Sequence, residues 1–244
     1  MFYRSGDIVD VKQRKVWNEN HKILTNIILK PSEHSQSVQL FLSQHSLLHS
    51  SSINQGNQIT LEDKLLEDLD ETTFRMYPVS NPDTKNSIAW HLWHIARIED
   101  ITMNILIANG QQVLSGNWLN KMNIPFIHSG NDMTEKDITL LSSEIDFHSL
   151  LAYRKAVCKR TREVVSSLPP GQCIEKIDPP RIERLFEENA VSQNSRWLAD
   201  YWSKKSVAGL LLMPGTRHNF LHLNKCIRIK DKLNRKRKEG VPHK

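Results

Sequence analysis

The chain of 244 residues is 39 % hydrophobic and 25 % charged, with mean hydropathy −0.49 and formal net charge +6. This suits a globular protein with one sizeable core, and no apolar run approaches the roughly 18 residues of a membrane-spanning helix. The positive charge is local rather than general: residues 228–244 carry eight Lys/Arg against two Asp/Glu, which is the whole excess, so no specific nucleic-acid partner is expected.

The first segment, MFYRSGDIVDVKQRK, lacks the apolar stretch of a secretory signal, so a cytoplasmic protein with no membrane partner is expected. Residues 1–31 form an extension packed on the main domain. Its part VWNENHKILTNIILK has apolar residues at mixed spacing and fits a short strand or a helix. From Pro31, a helix-start signal, Val38, Phe41, Leu42, Ser46 and His49 recur at three- and four-residue spacing and predict the first long helix. After a polar run, LEDKLLEDL is a short amphipathic helix leading to the breakers Pro78, Asn81 and Pro82.

The segment SIAWHLWHIARIEDITMNILIANG is the strongest helix in the chain, with Ile88, Trp90, Leu92, Ile95, Ile98, Ile101, Ile105 and Leu106 spread widely around it and Gly110 as its stop. It must be largely buried. About 35 residues follow without a clear long element, enough to cross over a bundle, before IDFHSLLAYRKAVCKRTREVVSSL begins another helix ended by Pro169 and Pro170. After a loop marked by Pro179 and Pro180, SRWLADYWSKKSVAGLLLM is a helix interrupted at Pro214 and Gly215, and TRHNFLHLNKCIRIKDKL resumes with Thr216 as N-cap. The fold class is therefore all-α, with a helical domain over 32–234 and a basic tail over 235–244.

His218 and His222 stand one helical turn apart, so both imidazoles leave the same face at a separation one metal ion can span. Phe220, Leu221, Leu223 and Ile227 surround them, and two unpaired imidazoles entering a core would be costly without a partner. A third ligand must come from elsewhere. His94, between Trp93 and a run of isoleucines, is the preferred candidate; His91, three residues earlier, is the competing choice or a supporting group.

Cys158, Cys173 and Cys226 are far apart and form no CxxC pair, so neither a disulfide framework nor a Cys-rich zinc site is suggested. Cys226 is better read as a core thiol than as a ligand. Glu99 and Asp100 lie about 140° and 240° around the helix from His94 and suit salt bridges, with Arg97 or Arg217. His21, His34, His45, His49, His128, His148 and His243 form no second cluster by spacing. The rings of Trp90, Trp93, Trp197, Tyr201 and Trp202 are read as mostly core, with one or two at a pocket mouth.

NSIAWHLWHIARIED followed by MPGTRHNFLHLNKCIRIKDKL resembles the DinB/YfiT-like family of metalloenzymes, from about Ser32 onward. In that family a histidine in an L-x-H-hydrophobic-A motif of the second bundle helix and an HxxxH in the fourth form a three-histidine metal site. Leu92, Trp93, His94, Ile95 and Ala96 match the first element, and His218 with His222 match the second. The resemblance implies a four-helix bundle with long crossover connections and short additional helices, and one divalent ion (zinc, nickel or iron) on His94, His218 and His222.

It further implies a metal-dependent enzyme of thiol-transferase type, with a low-molecular-weight thiol as cosubstrate and a small electrophile as substrate. A metal-dependent hydrolase and a non-catalytic metal- or ligand-binding bundle are the alternatives, and no general base is identified. Bundles of this type commonly self-associate, so a homodimer is expected, though no periodicity isolates its face.

Overall fold

The computed structural model describes residues 5–53 and 58–240, with backbone alone for 5–10. Among the described residues it is helical, with two isolated β-bridges and no strand. The N-terminal extension is one helix, α1 (Ser5–Ile27), whose Trp17 and Leu24 are buried, as is Ile28 just beyond its end. Trp17 stacks on Phe220 with centroids 3.9 Å apart. The exposed Val11, Val16 and Ile23 blur its period in the sequence and explain why strand and helix both fitted.

Helix α2 (His34–Ser46) follows a single turn begun by Pro31. The short helices α3 (Leu61–Leu66) and α4 (Glu71–Arg75) begin at side-chain caps, Thr60 and Asp70. Helix α5 (Ile88–Asp100), capped by Ser87, runs on through a π-helical segment, Ile101–Ile107. The expected crossover contains α6 (Trp118–Met122) and α7 (Glu135–Glu144) and leads into α8 (Phe147–Ser167). Pro179 and Pro180, expected in a loop, instead open α9 (Pro179–Glu187), where a missing N–H costs nothing. Then come α10 (Arg196–Ser203), α11 (Val207–Leu212) and α12 (His218–Lys238).

The long helices α2, α5, α8 and α12 form the bundle, with α5 packed against both α8 and α12. Every residue from Ser87 to Ile107 is buried. A helix enclosed on all sides needs an apolar surface all round, as this one has. Each polar residue within it needs a partner. Those partners divide into three groups: His91 and His94 turn to α12, Glu99 to α2, α8 and α12, and Arg97 and Asp100 to the crossover.

In the third group Asp100 accepts from Arg97, Tyr153, Asn104 and the backbone N–H groups of Val113 and Leu114. Arg97 also donates to the Ile127 carbonyl. The predicted Arg97–Asp100 ion pair is present, at 3.0 Å, and it ties the crossover down two residues before Ser129. Arg217 pairs with neither acid; it donates to Asn18.

The expected break at Pro214 is absent. Met213–Arg217 is a π-helical segment joining α11 to α12, and Thr216 lies inside it rather than capping a new helix. Pro214 offers no N–H, and the Leu211 and Leu212 carbonyls accept the Thr216 hydroxyl at 3.2 and 2.9 Å. Each residue added to a helical turn rotates the rest of the helix by about 100°. The segment thus helps to set the direction in which His218 and His222 leave α12.

The basic end of α12 is largely occupied within the molecule. Lys230 Nζ donates to the carbonyls of Lys64 and Glu67 at the C-terminus of α3, where the helix dipole favours a cation. Arg228 pairs with Asp83, Arg237 with Asp70, and Lys232 donates to the Ser80 carbonyl.

Candidate metal centre

His94 from α5 and His218 and His222 from α12 converge. Their ring centroids are 5.0 Å (94 to 218), 5.2 Å (94 to 222) and 4.3 Å (218 to 222) apart. Each ring offers a nitrogen within 4.8 Å of the other two, a spacing compatible with one shared ion at about 2 Å per bond. The chain thus brings together a residue of α5 and a pair that begins 124 positions later in sequence.

The hydrogen bonds around these rings fit ligands. His94 Nδ1–H donates to the Ser129 carbonyl at 2.7 Å, which fixes the tautomer and leaves Nε2 as a free lone pair. The Trp90 indole stacks on its face, with centroids 4.5 Å apart and planes 12° apart. Ser129 is itself held by its N–H to the Ala190 carbonyl, and Gly130 lies so close over Trp93 that a Cβ there would stand 2.3 Å from the indole. His218 Nδ1 is buried and has no hydrogen-bond partner, as expected of a nitrogen reserved for something outside the protein.

His91, the competing candidate, stands beside the three rather than among them. Its Nδ1 is 2.9 Å from Nδ1 of His222 and its Nε2 is 3.1 Å from the Thr84 hydroxyl. The row can run in either direction, and in the one that suits a ligand His222 Nδ1–H donates to His91, whose Nε2–H donates to Thr84, and His222 Nε2 remains free. The reverse direction would put the proton of a neutral His222 on Nε2 and close that nitrogen to a metal. His91 therefore orients His222.

Burial keeps all four imidazoles neutral, the form that binds metal. It lowers His94 to about 4, against a small opposing effect of the Ser129 carbonyl, and His91 to about 3. Burial and then the neighbouring imidazoles hold His218 and His222 well below the usual histidine range.

A cavity of about 200 Å³ opens on His94 and His218, walled by Ile98, Trp197, Leu198, Tyr201, Trp202, Met213 and Pro214, with Asn131 as a polar group. Trp93 and Trp202 are core, as expected, whereas Trp197 and Tyr201 are 52 % and 40 % exposed and form the mouth. No carboxylate lines it. Asp132, beside Asn131, accepts from Trp197 Nε1 and Ser195 Oγ. A larger cleft, about 570 Å³, lies around residues 111–120; no histidine lines it.

Glu99 and Asp100 do not turn to these rings, as the helix angles predicted. Cys226 is a core thiol that burial pushes up to about 12. Spacing failed for His45, His49 and Cys158: one atom from each lies within 4.8 Å of the others, in a second, fully buried group beside Glu99.

A family model described as the DinB superfamily matches residues 60–213. The matched stretch contains His91, His94 and Ser129 and stops just before His218. No curated protein matches the chain.

Proposed function

The chain belongs to the DinB superfamily, and from that premise we propose that it is a divalent-metal-dependent enzyme, with His94, His218 and His222 as ligands, that transfers a small thiol to a small electrophile. A bound zinc, nickel or iron ion lowers the pKa of a thiol or water attached to it and leaves at least one position open on three imidazoles. The carrying observation is that the three rings converge and that two of them, His94 and His218, border an apolar cavity lined by no carboxylate. On such an ion the pKa of water falls from about 15.7 to about 7 and its attack still gains from a positioned base, whereas a thiol that starts at about 8.5 ionises fully without one. The cavity therefore favours thiol transfer over hydrolysis.

The residues divide the work by position. Ser129 and His91 aim the His94 and His222 rings. Trp197, Tyr201 and Trp202 supply apolar faces that exclude water from a small bound molecule. Asn131 offers the amide that can orient its polar end.

The test is metal analysis of the purified protein, with His218→Ala alongside, followed by thiol-consumption assays with small thiols and small alkylating electrophiles. Metal bound through His218 and thiol consumption that needs it are expected. Metal binding without turnover of any thiol, alongside hydrolysis of an ester or amide, would overturn the transfer reading. Metal retained in full by His218→Ala would overturn the site.

A further inference from the structure

The Glu99 carboxylate is fully buried on α5, yet four side chains from three other segments converge on it. Oε1 accepts from His45 Nε2–H at 2.8 Å and from Thr161 at 2.7 Å. Oε2 accepts from Asn219 Nδ2 at 2.8 Å and stands 3.3 Å from His49 Nε2. The His45 bond is informative because it puts a proton on Nε2, so that in the neutral ring the lone pair is on Nδ1, and that nitrogen is 3.9 Å from Cys158 Sγ. Carboxylate to histidine to metal is the arrangement by which proteins orient a ligating imidazole.

His49 gives a second, independent indication. It is 1 % exposed, and neither ring nitrogen makes a hydrogen bond. Its ring lies 4.4 Å from that of His45. Its one charged neighbour is the Glu99 carboxylate at 3.3 Å, in a geometry that is not a hydrogen bond, so a buried imidazole beside another imidazole and a thiol is left incompletely satisfied. Two neutral imidazoles and a thiolate are a set that soft and borderline divalent ions prefer.

We propose that His45, His49 and Cys158 form a second metal site, separate from the three-histidine centre, that takes one zinc-like divalent ion as a structural brace. A zinc ion bound to a nitrogen at about 2.05 Å and a sulfur at about 2.3 Å with tetrahedral angles sets them roughly 3.6 Å apart. The 3.9 Å from His45 Nδ1 to Cys158 Sγ needs adjustment by a few tenths of an ångström. Charge also balances: the thiolate and Glu99 supply two negative charges against the ion's two positive ones, and every proton held on Cys158 and on the ligating nitrogens of His45 and His49 leaves to solvent when the ion binds.

The group is fully buried, and it joins α2 with the turn after it (His45, His49), α5 (Glu99) and α8 (Cys158). Through Asn219 it also reaches α12, next to His218. An ion here would fix the helix that carries two ligands of the other centre, although the assignment does not depend on what that centre does.

The experiment measures bound ions per chain after loading the full-length protein with zinc and dialysing it against metal-free buffer. Two are expected in the wild type, one in Cys158→Ser and one in His218→Ala. Loaded with cobalt(II), the wild type and His218→Ala should show a sulfur-to-cobalt charge-transfer absorption in the near ultraviolet, which three imidazoles cannot give. This reading holds even where Cys158→Ser fails to fold. One ion per chain that His218→Ala abolishes, with no sulfur-to-cobalt band, would overturn the proposal and leave a group held together by a shared proton. Two ions retained by a folded Cys158→Ser would overturn it equally.

Discussion

Replacing His91 by Phe tests how the proposed metal centre is built, because His91 and His94 make different hydrogen bonds although they lie one turn apart on one buried helix. His91 presents Nδ1 to His222 at 2.9 Å and Nε2 to Thr84 at 3.1 Å, while His94 offers Nε2 to the shared position. Phe fills the same volume and removes both bonds, leaving the His222 Nδ1–H in a buried place without an acceptor. Hydrogen bonds to polarised or charged groups contribute about 1.5–3 kcal/mol, which at 1.4 kcal/mol per decade is roughly a 10- to 150-fold change in a binding constant.

Losses of about 10- to 100-fold are usual when the group that orients a ligating histidine is removed. Competition with a chromophoric zinc chelator should therefore show His91→Phe retaining the ion with affinity weakened by about one to two decades. His94→Phe, which removes a ligand, should lose it. The opposite order, with His94→Phe retaining and His91→Phe losing the ion, would refute the proton row and make His91 the third ligand.

Other consequences come from burial and backbone geometry. Arg154 and Glu62 form a buried pair at 2.6 Å, so Glu62→Ala strands a guanidinium and should cost about 3–5 kcal/mol in urea denaturation; a loss under about 1 kcal/mol would mean that water reaches Arg154. Gly130→Ala forces a side chain onto a residue at φ +85° and within 2.3 Å of the immobile Trp93 ring; a loss of roughly 2–5 kcal/mol is expected, with weaker metal binding because the Ser129 carbonyl moves. In metal-free protein His94 titrates at about 4 instead of the ordinary 6.5, so the unfolded chain takes up the proton first. That contribution to stability is complete above about pH 6.5 and falls by up to roughly 3 kcal/mol on acidification to about pH 4; His94→Gln should flatten the fall, and an unchanged slope would exclude His94 as its source.

The all-helical class, the long buried helix and the His218–His222 pair were legible in sequence because each rests on local periodicity: 3.6 residues per turn places side chains four apart on one face whatever the rest of the chain does. Periodicity could not separate His91 from His94. Between Ser87 and Ile107 every side chain is enclosed, so no polar face marks an inside and an outside, and only the positions of Ser129, Thr84 and α12 decide which ring does what. The same holds for the continuous π-helical passage at Pro214, where a strong local breaker does not end the helix and Thr216 bonds the Leu211 and Leu212 carbonyls.

His45 and His49 stand four residues apart, the same spacing as His218 and His222, but Glu99 lies more than 50 residues beyond His45 and Cys158 more than 50 beyond Glu99, and no spacing ties those two to the pair. Their meeting is a property of packing. Local chain geometry determines which residues share a face, but which faces meet is decided by how helices exclude water from one another, and that balance is summed over the whole core.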